Sequence, residues 1–401
     1  MNNKPRILFV MHYLEIGGAE TALIGLLNTI DYSRYDVDLF LHSHHGEMMP
    51  FVPKEVNLLP EIPIYAQIEN FLKIVLKDGY LRMAAARMKA KMQTRRYIIK
   101  HHVVKETTAG LQYTAVAVSP LLPAINPSVE YDLAISFLHP HNIVRDKVRA
   151  KKKACWIHTD YSAVDFNSED ELPVWSAFDH VVSISNDVTK SFLQAFPTLE
   201  NKIVLMENIL SPTFVRLRAE EFDVLPELPK ESLKLLSVGR FSKAKNYDNV
   251  PDICRRMVEI CDVDFRWFII GYGPDEQLIR SKIAEAGMKD RVIILGKQMN
   301  PYPYIKACDI YVQPSRYEGK SVTVREAQML YKPVVVTNYP TASSQIKDGQ
   351  DGVIVPMDNQ GCAEGIINLI RDKSKREKII EYLKTHDYGN ETEVEKLYEM
   401  L

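Results

Sequence analysis

The chain has few cysteines, and nothing in their spacing pairs them. Cys155, Cys254, Cys261, Cys308 and Cys362 are scattered over 401 residues with no C-x-x-C element. An odd, dispersed set excludes a disulfide framework or a zinc knuckle, and suits reduced, mostly buried thiols in a cytoplasmic protein. A large excess of either charge is also missing. The net charge of -2 gives no general attraction to nucleic acid, so no nucleic-acid partner is expected. No apolar run approaches the roughly 18 residues that a membrane-spanning helix needs. A few polar residues lead straight into Arg6-Ile7-Leu8-Phe9-Val10, so no signal peptide is expected. Short-period repeats and low-complexity tracts are absent too.

What remains is a globular composition, 46% hydrophobic and 25% charged. The length suits two domains of about 200 residues each. Short apolar runs alternate with helix-length amphipathic segments, the pattern of a doubly wound parallel α/β sheet. In the first half, strands are predicted at Arg6–Met11, Tyr35–Leu41, Asn57–Leu59, Leu133–Phe137, Cys155–His158, His180–Ile184 and Ile203–Leu205. A helix, Gly18–Thr29, follows the first of them. In the second half they fall at Lys234–Val238, Arg266–Ile270, Val292–Leu295, Ile310–Val312, Val334–Val336 and Val353–Val355. Two Rossmann-like domains follow, at 1–210 and 232–385. The Glu- and Pro-rich stretch 211–231 is the linker candidate, and 386–401 ends in a short amphipathic helix. Within the first domain, 66–105 is a long, basic helical insertion. From Lys73 to Lys105 it carries ten Lys or Arg residues and one acid, Asp78. Apolar residues interleave with them, so this segment is a candidate for docking on an anionic membrane surface.

Two carboxylates stand out. Glu318 sits in the loop Ser315-Arg316-Tyr317-Glu318-Gly319-Lys320 that follows the strand Ile310–Val312, and Glu326 lies inside the helix starting near Ser321. Ligands bind open α/β sheets at the carboxyl ends of strands, and the N–H groups at Ser321 and Val322 begin a helix that could face a phosphate. A second element, Val238-Gly239-Arg240-Phe241-Ser242-Lys243-Ala244-Lys245, places cations after another strand. Arg240 can grip a phosphate bidentately, while Lys245 or Lys243 would act as a point charge.

Together these elements resemble the retaining glycosyltransferases of family 4, whose Glu-x7-Glu signature and G-R-…-K loop occur in this chain. The resemblance is strong from Val238 to Pro356. In the first half it is confined to Gly17-Gly18, His158 and the strand pattern. It implies the GT-B fold, two Rossmann-like domains facing across a cleft, with the terminal helix crossing back onto the first domain. It implies that Arg240 and Lys245 (preferred over Lys243 on family spacing) hold a donor diphosphate. Glu318 would bind the donor sugar, Glu326 the nucleotide's ribose, and His158 the sugar from the first domain. The Gly17-Gly18 loop would face the donor phosphates. Gly239, Gly319, Lys320, Ser321 and Val322 would line the donor site, with Gly273, Gly296 and Lys297 near the base. Many family members have Gly-Phe-Gly after the first Glu. Here Gly319-Lys320-Ser321 stands instead, leaving one glycine fewer and one extra cation.

Other motifs are assigned less chemistry. Gly271-Tyr272-Gly273-Pro274-Asp275-Glu276 lacks the third glycine of a dinucleotide-binding turn. Asp36-Val37-Asp38 and Asp262-Val263-Asp264 lie at strand entrances, the wrong end of a sheet for a ligand, and read as solvated acids. His42-Ser43-His44-His45 could suggest a metal, but with no second acidic or cysteine ligand expected nearby it reads as a polar loop on the acceptor side. Asp160 could orient His158 or meet the acceptor. No metal and no cofactor beyond the sugar nucleotide is expected. The expected activity is transfer from a nucleotide-diphosphate sugar, UDP-linked, to a glycan or lipid-linked acceptor in cell-surface polysaccharide assembly. The location would be cytoplasmic and peripheral on the inner leaflet. The alternatives are a nucleotide-sugar 2-epimerase of the same architecture and a non-catalytic sugar-nucleotide-binding subunit.

Overall fold

The computed structural model describes residues 4–15, 17–162, 164–225, 229, 231–318 and 321–401. It divides into two compact units, 1–209 with 390–401, and 210–389.

The first unit is built on a seven-stranded parallel sheet in the order β3-β2-β1-β4-β5-β6-β7. Its strands are β1 (Arg6–Met11), β2 (Asp36–Leu41), β3 (Asn57–Leu58), β4 (Tyr131–Ser136), β5 (Ala150–Ile157), β6 (His180–Ser183) and β7 (Ile203–Leu205). The second unit has six parallel strands in the order β10-β9-β8-β11-β12-β13. These are β8 (Leu233–Val238), β9 (Phe265–Ile270), β10 (Val292–Gly296), β11 (Ile310–Gln313), β12 (Val334–Thr337) and β13 (Val353–Val355). Every predicted strand is present, with ends moved by a few residues; β5 alone begins well earlier.

Continuous apolar runs form these strands because both sheet faces are covered. In the second unit Leu235, Trp267, Ile269, Val312 and Val335 enter one buried cluster, while their neighbours Leu236, Phe268, Ile270, Tyr311 and Val336 enter the other. That is the two-residue alternation of a strand with both faces dry. All five cysteines are buried and unpaired.

Each sheet reverses its strand order once, between β1 and β4 in the first unit and between β8 and β11 in the second. Such a reversal splays the connections to opposite faces and leaves a crevice at the carboxyl ends of the two strands.

One segment departs from the sequence reading. Much of the expected linker is ordered core: Pro212–Ala219 is a helix of the second unit, and Val215, Ala219 and Val224 are buried in its core. Ser211 caps it by accepting a hydrogen bond from the Phe214 N–H, with Pro212 in the first turn. Residues 226–228 and 230 of the expected linker lie outside the described residues. The basic insertion is two helices, Leu72–Lys77 and Leu81–His101. The tail is a 3-10 turn, Glu391–Val394, followed by Glu395–Tyr398, and both belong to the first unit. Tyr398 stacks on Tyr35 at 4.3 Å between ring centroids, and its hydroxyl accepts from the Asp31 N–H at 2.8 Å.

Candidate active site

The crevice between β8 and β11 gathers the second unit's chemistry. Gly239 and Arg240 follow β8 directly, and Ser315 and Glu318 follow β11. The two loops are tied together: the Arg316 N–H donates to Ala244 O at 2.8 Å, and Asn246 Nδ2 donates to Pro314 O at 2.9 Å. Arg316 also forms a bidentate pair with Asp248, at 2.8 and 2.9 Å. This frame brings Lys245 Nζ to 2.6 Å from Glu318 Oε1. The same carboxylate oxygen accepts from Ser315 Oγ at 2.6 Å and from Gln313 Nε2 at 3.0 Å. Gln313 is held in turn by the Tyr311 hydroxyl, which donates to its Oε1 at 2.9 Å. Glu318 is therefore fixed by three donors at the rim of the crevice, with its side chain 11% exposed.

Arg240 is exposed and has no carboxylate partner among the described residues. Lys243, the competing cation, is exposed as well. The glycine-rich turn after β9 packs on this loop. A Cβ on Gly271 would stand 1.9 Å from Gly239 O, and one on Gly273 would stand 2.4 Å from Phe241 O. Only glycine permits that approach. Gly296, at the end of β10, accepts from the Gly271 N–H at 2.9 Å, and Lys297 lies over the Tyr272 ring at 5.4 Å.

The helix Val322–Met329 starts where expected, with Ser321 at its N-cap. The Ser321 N–H is already taken by Gln345 Oε1 at 3.0 Å, while Val322 is open to solvent. Glu326 lies within the helix and is 5% exposed; the Tyr302 hydroxyl donates to its Oε1 at 2.7 Å. Burial pushes its carboxyl up to about 7, and the Tyr302 hydrogen bond opposes this only in part. Gly319 and Lys320 lie outside the described residues.

In the first unit the carboxyl edge of the sheet is rich in histidine. His12 follows β1, His42 follows β2, His139 and His141 follow β4, and His158 follows β5. Burial pushes the His158 imidazole down to about 4, against a backbone hydrogen bond with Phe137 that raises it, so the ring is neutral near pH 7. His158 Nε2 and both ring nitrogens of His139 are buried with no hydrogen-bond partner among the described residues. Asp160 does not orient His158: its Oδ1 accepts from the Ser162 N–H and Oγ, at 2.9 and 2.7 Å. Gly17 caps the helix Gly18–Leu27 in extended backbone, so neither glycine of this loop serves a left-handed turn. A Cβ on Gly18 would meet nothing within 4 Å.

Two further sequence readings do not hold. The histidine loop does have an acid beside it: Glu69 Oε1 lies 3.5 Å from His12 Nδ1 and 3.9 Å from His42 Nδ1. His42 is buried, whereas His45 is exposed. Nor is Asp38 solvated; it is 4% exposed and accepts from Tyr131 and Asn57 at 2.7 and 2.9 Å. Asp264 is the surface acid expected, paired with Arg266 and Arg291.

Two parallel-sheet Rossmann-like domains with these loops at the carboxyl ends of their strands make up the GT-B fold. Solved structures share it across nearly the whole chain. The Anabaena protein HepE in complex with UDP and glucose is 16% identical, with a TM-score of 0.62, over 98% of each chain. A glycosyltransferase from Rickettsia africae is 17% identical, with a TM-score of 0.60, over 99% of this chain and 97% of its own. Residues 219–386 match the family model described as Glycosyl transferases group 1. Among curated relatives, a Campylobacter jejuni N-acetylgalactosamine-N,N'-diacetylbacillosaminyl-diphospho-undecaprenol 4-alpha-N-acetylgalactosaminyltransferase is 27% identical over 35% of this chain and 38% of its own. The lipopolysaccharide core biosynthesis glycosyltransferase LpsE of Rhizobium meliloti is 24% identical over 39% of this chain and 44% of its own. The chain thus spans about two fifths of the length of these relatives.

Proposed function

We propose that this protein is a retaining glycosyltransferase of family 4. It would move a sugar from a UDP-linked donor to a glycan or lipid-linked acceptor in cell-surface polysaccharide assembly. The observation that carries this reading is the Lys245–Glu318 pair at the strand-order reversal of the second unit, with Arg240 exposed on the same loop. As the glycosidic bond breaks, negative charge gathers on the leaving diphosphate. Arg240 and Lys245 supply the cations that stabilise it without a metal ion. Glu318, immobilised by three donors, positions sugar hydroxyls. Glu326 with Tyr302 holds the ribose, and neutral His158 offers the sugar a hydrogen bond without a charge. The leaving phosphate takes the acceptor's proton on the same face of the sugar, so the anomeric configuration is kept.

No helix among the described residues is long and apolar enough to cross a membrane. The helix Leu81–His101 nonetheless leaves Leu81, Met88, Met92 and Ile99 between 46% and 66% exposed. Their spacing puts them along one face, among the basic residues of the insertion. This supports reversible docking of a cytoplasmic enzyme on the anionic inner leaflet. A thermal-shift screen of UDP-, GDP- and ADP-sugars tests the donor class. Incubating the selected donor alone, then with acceptor, tests transfer; release of an epimerised sugar nucleotide without acceptor would overturn it.

A further inference from the structure

The first unit holds a cavity of about 840 Å³ that the donor chemistry does not use. Its floor is the carboxyl edge of the sheet beside the reversal between β1 and β4, reached by His12, His42 and Ile143. Two helices wall it, Leu81–His101 and Ala109–Val118, and the segment Ile68–Leu72 closes a third side. Arg87 pins that segment, donating to Gln67 O at 2.7 Å and Asn70 O at 2.6 Å.

Three properties coincide there. One wall is apolar, contributed by Ala115 and Val118 with Leu72. The facing helix adds Lys91 and Arg95, one turn apart on one side, exposed and without a carboxylate partner among the described residues. The rim is made of apolar side chains left in water: Phe71 is 82% exposed, Leu111 50% and Met88 46%. Inorganic phosphate would use the cations but needs neither the apolar wall nor the rim. A neutral hydrocarbon would use the wall and rim but leave two cations unanswered. A free glycan would use neither surface well. A hydrocarbon chain bearing a phosphate satisfies all three, and its entry across the rim covers the exposed Phe71.

We propose that this cavity binds a lipid phosphate, with the hydrocarbon chain between the two helices and the phosphate on Lys91 and Arg95. This deepens the reading of the protein as a glycosyltransferase by naming its acceptor as lipid-phosphate-linked, and it rests on that reading only for the ligand's role. The His12–His42–Glu69 group then lies on the cavity's polar floor, where an acceptor hydroxyl would need hydrogen-bond partners.

Isothermal titration of the full chain with decyl phosphate, below its micellar concentration, tests this against decanol and inorganic phosphate. Decyl phosphate should bind at least about tenfold more tightly than either control. The double variant Lys91→Glu/Arg95→Glu and the rim variant Leu111→Asp should each weaken it about tenfold or more, the scale of one lost charged or desolvated contact. All three residues are exposed on helices, so both variants should fold. An unchanged UDP-induced thermal shift would check that. Equal affinity for decyl phosphate and a control, or binding that survives both variants, overturns the proposal. Failure of the wild type to bind UDP would overturn the donor reading instead, and leave the alkyl-phosphate result to stand alone.

Discussion

Lys245 Nζ and Glu318 Oε1 lie 2.6 Å apart, although one follows β8 and the other follows β11. The pair is only partly exposed, at 21% and 11%, and shares its oxygen with Ser315 and Gln313. In the proposed reaction Lys245 turns from the Glu318 carboxylate to the donor diphosphate. Glu318 keeps two neutral donors as it does so. The cation and the acid are thus one unit, and each should affect the other's function.

The two acids should separate kinetically. Glu318→Gln should lower kcat by roughly 10²-fold, since its sugar contact strengthens as the transition state develops, while UDP affinity changes little. Glu326→Gln should weaken UDP and the intact donor alike. Steady-state kinetics with UDP titration distinguishes them, and unchanged UDP affinity in Glu326→Gln would remove its assignment to the ribose.

Glu326 also predicts a pH dependence. Its carboxyl is raised from 4.5 to about 7 in the folded chain, so the native state binds more protons than the unfolded state between those values. Stability from this group is full below about 4.5 and is lost as pH rises through about 7. The loss is at most about 3 kcal/mol at 1.36 kcal/mol per unit. Glu326→Gln keeps an acceptor for Tyr302 but cannot ionise. Its melting temperature relative to wild type should therefore rise from pH 5 to pH 8. A flat difference would mean that the carboxyl is not held in the dry setting described.

Membrane docking should follow charge. Sedimentation with liposomes should show binding that grows with anionic lipid and falls with salt, each Lys or Arg near the surface adding about 1 kcal/mol. Replacing Met92 and Ile99, both exposed on the basic helix, by Ser should weaken it without altering UDP binding. Indifference to anionic vesicles at low salt would remove the membrane role and leave the rest intact.

Much of this is legible in the chain. Apolar runs buried on both faces announce parallel strands, and the eight-residue step from Glu318 to Glu326 survives as a loop acid followed by a helix acid. The supporting groups are not legible. Tyr302 reaches Glu326 from another helix, and Glu69 reaches His12 and His42 from a distant segment, so no local pattern marks either. Asp38 reads as solvated because its partner Tyr131 lies on β4, the strand on the far side of β1. The helix Pro212–Ala219 escapes the sequence reading despite a visible signal. Ser211-Pro212 is a cap followed by a first-turn proline, but the acids and prolines beyond it imitate a linker.

The central claim is that Arg240 and Lys245 form a diphosphate clamp. Isothermal titration of UDP and UMP against wild type, Arg240→Ala and Lys245→Ala tests it most directly. Each variant should lose roughly tenfold or more in UDP affinity and far less in UMP affinity, because the proposed clamp holds the second phosphate. Equal losses for both nucleotides, or none for either, would contradict it.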